Sequence, residues 1–314
     1  MTDDVRVRVT AARQVAERVR ELVLAPVNGT PLPGWTPGAH VDVVLADDLV
    51  RSYSLCSAPG ADTWRIAVLE EVDGRGGSRH VHHTVAVGDE LVTSVPRNNF
   101  ELVLGDRPVL LVSGGIGVTP LLPMAAAADA AGADWRMLHL ARSEEAAAYV
   151  DELAAYGDRV IRHVDTDGGP IDLAATLDRL GAADADVYAC GPTPLLGALE
   201  EYAASRPGTR LVVERFAGDG DAVREGDHAF VVEIADGTEV QVAADQTVLE
   251  ALSAAGIRVL SSCQEGVCGT CETAVIEGEP DHRDHVLSEE ERASGEMMMP
   301  CVSRCRGARI VLDL

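Results

Sequence analysis

Cys263, Cys268, Cys271 and Cys301 are spaced C-x4-C-x2-C-x29-C, and three of the four fall within nine residues, in SSCQEGVCGTC. That is the ligand spacing of a plant-type [2Fe-2S] cluster. Soft, anionic thiolate sulfur matches iron, and Gly266 and Gly269 give the loop the backbone freedom to wrap a compact group. A structural zinc site usually draws its ligands from two separated pairs, so the spacing favours iron–sulfur over zinc. A disulfide framework fits less well, because seven cysteines is an odd number in a 314-residue chain. Cys305 fits no ligand slot and reads as a buried thiol. A cluster of this kind carries one electron at a time, so the chain is expected to move electrons.

A second group of residues suits a dinucleotide. LLVSGGIGVTP, residues 110–120, runs from an apolar strand through glycines into a helix start, with Thr119 expected as N-cap and Pro120 in the first turn. Such a loop aims N–H groups and the positive helix end at a phosphate. It is not the G-x-G-x-x-G pattern, and alone it fits an ordinary strand-to-helix turn equally well. Cys190-Gly191-Pro192 also follows an apolar strand, DVYA, and so belongs on the same carboxyl edge, where α/β sheets bind ligands. Arg142-Ser143 ends a third strand with groups suited to ribose or pyrophosphate. Cys190 equally fits a buried small apolar role.

A third group lies nearer the amino terminus. In Arg51-Ser52-Tyr53-Ser54, alternation puts Arg51 and Tyr53 on one face of a strand. The guanidinium can clamp a phosphate and the phenol can pack on a flat ring. Gly76-Gly77-Ser78, after Arg75, reads as a flexible turn with backbone donors for the same phosphate. Only three phenylalanines occur; Phe100 in PRNNF and Phe216 in VERF, beside Glu214, fall at the seams between segments, where cofactors bind.

These residues need a scaffold of two or three domains at this length. The formal charge of −25 argues against nucleic acid and anionic membrane as partners. All 26 basic residues are arginine, which carries no mechanistic message. The charged, alternating start MTDDVRVRVT shows no signal peptide. Residues 108–128 carry no charge, but their glycines and prolines break the run into strand, turn and helix. A cytoplasmic protein is the expectation, and nothing demands more than a monomer.

Residues 1–104 read as short alternating strands, VRVRVT, HVDVVLA, SYSLCS, RIAVLEEV and ELVTSV, of a small antiparallel barrel. From 105 to about 217, apolar strands alternate with alanine-rich helical stretches, implying an open parallel sheet with helices on both faces. AGDGDAVREGD, residues 217–227, reads as a linker. A hairpin around Asp236-Gly237, the helix TVLEALSAAG and the cysteine loop follow.

RSYS, GRGGS, PRNNF, GGIGVTP, CGP, ERF and the four-cysteine pattern occur in this order across essentially the whole chain. In this the protein resembles the phthalate dioxygenase reductase family, which includes vanillate demethylase reductases. The resemblance implies a multidomain α/β and β architecture. Its parts would be a ferredoxin-reductase-type antiparallel FMN-binding barrel (1–104), a parallel α/β NAD(H) domain (105–223) and a C-terminal β-grasp plant-type [2Fe-2S] ferredoxin domain (228–314). It further implies that Arg51, Tyr53, Ser54, Gly76, Gly77 and Ser78 hold FMN. NADH would be met by Gly115, Gly117, Val118, Thr119, Pro120, Arg142 and Ser143. Cys190, Glu214 and Phe216 would line the place where nicotinamide meets flavin. Cys263 and Cys268 would ligate one iron, Cys271 and Cys301 the other. Electrons would pass from NADH through flavin and cluster to a terminal oxygenase, Rieske-type by family analogy, with a cytochrome P450 as the alternative acceptor. The ferredoxin segment holds 16 Asp and Glu against six Arg, a net −10 expected to steer docking to a basic patch on the acceptor.

Overall fold

The computed structural model describes residues 4–46, 49–218 and 222–314. The first three residues and part of the expected linker, 219–221, lie outside the described residues. The chain divides into two compact units, the first ending at Phe216 and the second beginning at Ala217. The barrel and the α/β segment thus share one unit.

In the first unit β1 (Val5–Ala16), β2 (Val19–Pro26), β3 (His40–Ala46), β4 (Leu49–Ser54), β5 (Trp64–Leu69) and β6 (Glu90–Thr93) form an antiparallel sheet ordered β4-β3-β6-β1-β2-β5. Just past β4, the Cys56 N–H donates to the Arg65 carbonyl on β5 at 2.9 Å, so the two edge strands meet and the sheet rolls into a barrel. Alternation does the work: Val7 and Val9, Leu22 and Leu24, Val41 and Val43, Trp64 and Ile66 all point into one core. Two elements escaped the sequence reading. VRELVLAP forms β2, paired along β1 through two bulges. Gly77–His83 is helical (α1), where a flexible turn was expected. Arg20 decides that outcome by donating to the Val81 and His82 carbonyls at 2.6 and 2.8 Å, which caps the short helix from the barrel wall.

The same unit continues into β7 (Val109–Gly114), α2 (Leu121–Ala130), β8 (Trp135–Ala141), α3 (Val150–Ala154), β9 (Val160–Val164), α4 (Asp165–Gly168), α5 (Leu173–Leu180), β10 (Asp186–Cys190), α6 (Thr193–Ala204) and β11 (Arg210–Glu214). The sheet is parallel, ordered β11-β10-β7-β8-β9. One face packs on α2, the other on α5 and α6. The stretch EEAAAYVDELAAY yields only the short α3, entered through Tyr149 at a left-handed φ of 61°. Burial holds Tyr149 there: its hydroxyl donates to the buried Glu21 at 2.9 Å, tying the α/β part to the barrel. Phe100 fills the seam, nearly fully buried and edge-on to Tyr188, so its role is packing. Among the described residues no helix is long and apolar enough to cross a membrane.

The second unit holds β12 (Phe230–Ile234), β13 (Glu239–Val242), α7 (Val248–Ala254), β14 (Thr273–Glu277), β15 (Pro280–Asp281), α8 (Glu289–Ser294), β16 (Met297–Met298), β17 (Arg304–Cys305) and β18 (Arg309–Leu312). Its sheet, β13-β12-β18-β14-β16, is grasped by α7, which buries Val248, Ala251 and Leu252 against it. The hairpin turns at Asp236-Gly237, with Gly237 at φ 87°. Helix α7 starts from a capping box of Thr247 and Glu250. The end of the expected linker is in fact anchored. Asp227 accepts from Arg283 at 2.6 and 2.8 Å, and Arg304, almost wholly buried, lies 3.3 Å from it. Arg283 above all holds the Asp227 carboxyl well below the usual range.

Candidate functional site

The barrel presents its cradle on β4 and α1. Gly77 packs so tightly on Arg51 that an added Cβ would lie 2.5 Å from Arg51 Cγ. Arg51 donates to its neighbour Val50's carbonyl at 2.7 Å and to that of Arg75 at 2.9 Å. The guanidinium is thus pinned beside the glycine turn that opens α1. Ser78 Oγ accepts from the Glu71 N–H at 2.9 Å, so this hydroxyl shapes the turn as well as facing it. Burial raises the Tyr53 phenol above its ordinary range, and Arg51 opposes the shift, so the ring is a neutral, packed surface at neutral pH. A fixed guanidinium, a turn with no room for a side chain at Gly77 and a neutral aromatic suit a phosphorylated flat ring.

The parallel sheet brings the two glycine loops together. A Cβ on Gly117 would stand 2.2 Å from the Cys190 carbonyl oxygen, and one on Gly114 would stand 2.7 Å from Pro192 Cδ. The loops therefore touch backbone to backbone at one edge of the sheet. The local form differs from the expected N-cap. Residues Gly115–Val118 make a 3-10 turn, and the Thr119 hydroxyl donates back to the Ile116 carbonyl at 3.0 Å instead of capping α2. Val118, Thr119 and Pro120 are buried and shape the turn from beneath, leaving Gly115 and Ile116 partly exposed. Arg142 is exposed at the end of β8, while Ser143 Oγ accepts from the Ala146 N–H at 3.3 Å. Phe216 is exposed at the end of the unit.

Strand register aligns Glu214, Cys190, Ser113 and His139 in one row across β11, β10, β7 and β8. Glu214 meets the barrel here, through hydrogen bonding with Ser54, and shares a contact with the Cys190 thiol. Burial pushes the thiol well up, reinforced by Glu214. Ser113 Oγ lies 2.7 Å from His139 Nδ1, and burial lowers this imidazole to about 4, so it is neutral. Ser113 and His139 were missed because their place beside Cys190 follows from sheet order, which no local pattern encodes.

Glu214 has one carboxyl oxygen, Oε2, buried without a hydrogen-bond partner among the described residues, and burial pushes its pKa up to about 8, with Ser54 and Cys190 opposing. The folded protein then keeps a proton that an ordinary carboxyl, near 4.5, has released. Stability from this group is greatest below about pH 4.5 and is lost as pH rises to about 8. Glu214→Gln removes that slope. Denaturation midpoints of variant and wild type are expected to agree in the lower part of this range and to diverge above it, with the variant more stable. Parallel curves at every pH would contradict the assignment.

In the second unit none of the four cysteines of the pattern forms a disulfide among the described residues. Cys271 and Cys301 Sγ atoms lie 3.3 Å apart. Cys263 Sγ accepts from the Glu265 and Val267 N–H groups at 3.3 and 3.5 Å, and Cys268 Sγ lies 3.1 Å from Thr270 Oγ1. Hydrogen bonding with Cys268 first, then with Cys301, holds the Cys263 thiol below its ordinary range, with the N–H groups adding to it. Gly266, at φ 70°, has no room for a side chain: a Cβ would lie 2.6 Å from Val302. Asp284, buried, accepts from the Val286 and Leu287 N–H groups at 3.1 and 2.9 Å and from Ser303 at 3.3 Å, fixing the neighbouring loop. Four converging thiols with N–H donors on one sulfur fit a cluster held by thiolates.

Residues 232–306 match the 2Fe-2S iron-sulfur cluster binding domain family. A putative toluene-4-sulfonate monooxygenase system reductase subunit of Comamonas testosteroni is 44% identical over 320 residues, covering 100% of both chains. The solved structure of phthalate dioxygenase reductase, described as modular for electron transfer from pyridine nucleotides to [2Fe-2S], matches with TM-score 0.73 at 34% identity, over 99% of this chain and 98% of that one. An intact type IV self-sufficient cytochrome P450 monooxygenase matches with TM-score 0.87 at 40% identity, over 99% of this chain, which spans 41% of that longer protein. With the cysteine pattern, the rolled barrel, the parallel sheet and the grasped sheet in place, the chain belongs to the phthalate dioxygenase reductase family and is an NADH-dependent oxidoreductase with a flavin, NAD(H) and a [2Fe-2S] cluster.

Proposed function

We propose that the chain carries electrons from NADH, by way of FMN and the [2Fe-2S] cluster, to a Rieske-type terminal oxygenase that hydroxylates or demethylates its substrate. The bound flavin would supply the change from a two-electron donor to one-electron steps, and the cluster one-electron carriage. The chain's own residues do the positioning. Arg51 and the turn of Gly76, Gly77 and Ser78 hold the phosphate, while Tyr53 and Ser54 sit along the ring. Gly115, Gly117, Val118, Thr119, Pro120, Arg142 and Ser143 form the dinucleotide edge. Cys190, Glu214 and Phe216 lie where the two rings meet. Cys263, Cys268, Cys271 and Cys301 ligate the irons. In this reading residues 1–104 serve FMN, 105–223 serve NAD(H) and 228–314 carry the cluster.

The observation that carries the reading is the end-to-end correspondence with a stand-alone phthalate dioxygenase reductase. Similarity to a longer, self-sufficient cytochrome P450 monooxygenase favours a second reading, in which a cytochrome P450 is the acceptor. The purified chain is mixed with NADH and either a Rieske-type oxygenase or a P450 from the same source. The first reading expects product only with the Rieske-type enzyme; product only with the P450 would replace it with the second. The flavin is identified by mass after release, with FMN expected and FAD contradicting the phosphate assignment. Arg51→Gln should weaken FMN binding about tenfold or more, the loss of a charged hydrogen-bond donor. Unchanged flavin affinity would remove Arg51 from the site.

A further inference from the structure

Beside the cysteine loop the second unit has a cleft of about 410 Å³, lined in part by His282, Arg224, Arg292 and Glu265. The His282 side chain is only 9% exposed, yet neither ring nitrogen has a hydrogen-bond partner among the described residues. Leaving such a group buried and unsatisfied is costly, and native structures rarely do so without a ligand or water to complete it. Asp284 does not complete it. Its Oδ1 stands 3.8 Å from His282 Nδ1, beyond hydrogen-bond reach. Both Asp284 oxygens are already engaged by Val286, Leu287 and Ser303.

The charged groups around the imidazole are unevenly used. The Arg283 guanidinium is taken up by Asp227 and Asp281. Glu265 accepts from the Gly218 N–H at 2.9 Å. Arg292 donates from one Nη to the Asp284 carbonyl and lies 3.7 Å from the Asp284 carboxylate, but its buried Nε has no partner among the described residues. Arg224 is exposed and makes no ion pair among the described residues. What remains unused in the cleft among the described residues is the Arg224 guanidinium, the Nε–H of Arg292 and the His282 imidazole, in a chain whose formal charge is −25. Donors in that combination suit an oxygen-bearing anion.

We propose that this cleft binds a small oxyanion, of the phosphate or carboxylate type, on His282, Arg224 and Arg292. None of the residues lining the cleft is among those assigned to flavin and NAD(H), and its binding is read without turnover. Because Gln264 and Glu265 belong both to the cleft and to the cysteine loop, occupancy should register in the visible circular dichroism of the cluster.

The test uses the full-length protein with its cofactors. Sodium phosphate and, separately, sodium acetate are titrated at constant ionic strength against a sodium chloride control. Visible circular dichroism and the thermal unfolding midpoint are followed together. A saturable change in both readouts with one of the two anions is expected, and which anion produces it separates the phosphate from the carboxylate chemistry. Arg224→Gln and His282→Gln should each weaken that binding about tenfold. If His282→Gln disturbs folding, the exposed Arg224→Gln decides alone. No saturable response beyond chloride, or equal affinity in Arg224→Gln and wild type, would overturn the proposal.

Discussion

Cys301→Ser is expected to lower electron transfer from NADH to an oxygenase acceptor by at least about 100-fold, while NADH reduction of ferricyanide, which can take electrons from the flavin, stays within a few-fold of wild type. Replacing residues that merely orient metal ligands commonly costs 10–100-fold, so losing a ligand should cost at least that much. The Cys301 sulfur stands 3.3 Å from that of Cys271 and is almost fully buried. Serine substitutes a hard oxygen for a soft sulfur at this position. Cys271, Leu287, Met299, Cys301 and Val302 pack as one cluster of buried side chains, so lost metal binding also loosens that packing. Visible absorbance in the cluster region should fall with the rate. Cys305→Ser is the contrast: Cys305 Sγ donates to the Arg309 carbonyl at 3.4 Å, away from the ligand pattern, and its replacement should leave the cluster spectrum intact. Equal loss in both variants would contradict the ligand assignment.

Gly117→Ala should have the next largest effect. The added methyl group would stand 2.2 Å from the Cys190 carbonyl oxygen, 2.5 Å from its carbon and 2.7 Å from the Gly191 nitrogen. All three are backbone atoms, so no side-chain rotation relieves the contact and the two loops must separate. Misplacement of reacting groups by about 1 Å can cost about 100-fold, which sets the expected loss in the rate of flavin reduction by NADH. Overpacking adds a stability cost of about 1–3 kcal/mol. Gly197→Ala provides the comparison, because a Cβ there meets nothing within 4 Å inside α6. It should stabilise the helix by about 1 kcal/mol and leave the rate unchanged. Stopped-flow absorbance at the flavin band measures both; a Gly117→Ala rate within threefold of wild type would remove the loop contact from the account.

Much of this architecture is legible locally. The cysteine spacing, the alternating valines of β1 and β3, the Asp236-Gly237 hairpin and the Thr247 cap are all set by neighbours in sequence. The elements that were not legible depend on distant partners. Helix α1 needs the Arg20 cap from another strand, and Tyr149 keeps its left-handed backbone because its hydroxyl reaches Glu21. The row from Glu214 to His139 exists only once the strands are ordered β11-β10-β7-β8. Thr119 shows the limit of motif reading: its sequence context suggests an N-cap, but the tight approach of Gly117 to Cys190 draws residues 115–118 into a 3-10 turn that uses the hydroxyl itself.

One polypeptide is expected to hold a two-electron flavin and a one-electron cluster on a single path from NADH. Anaerobic titration of the purified chain with NADH, followed by visible absorbance, checks this. Flavin bands and the broad cluster absorbance should bleach in the same titration, with a total uptake of about three electrons per chain. A preparation in which NADH bleaches the flavin while the cysteine pattern proves to hold zinc, or in which no flavin is present, would contradict it.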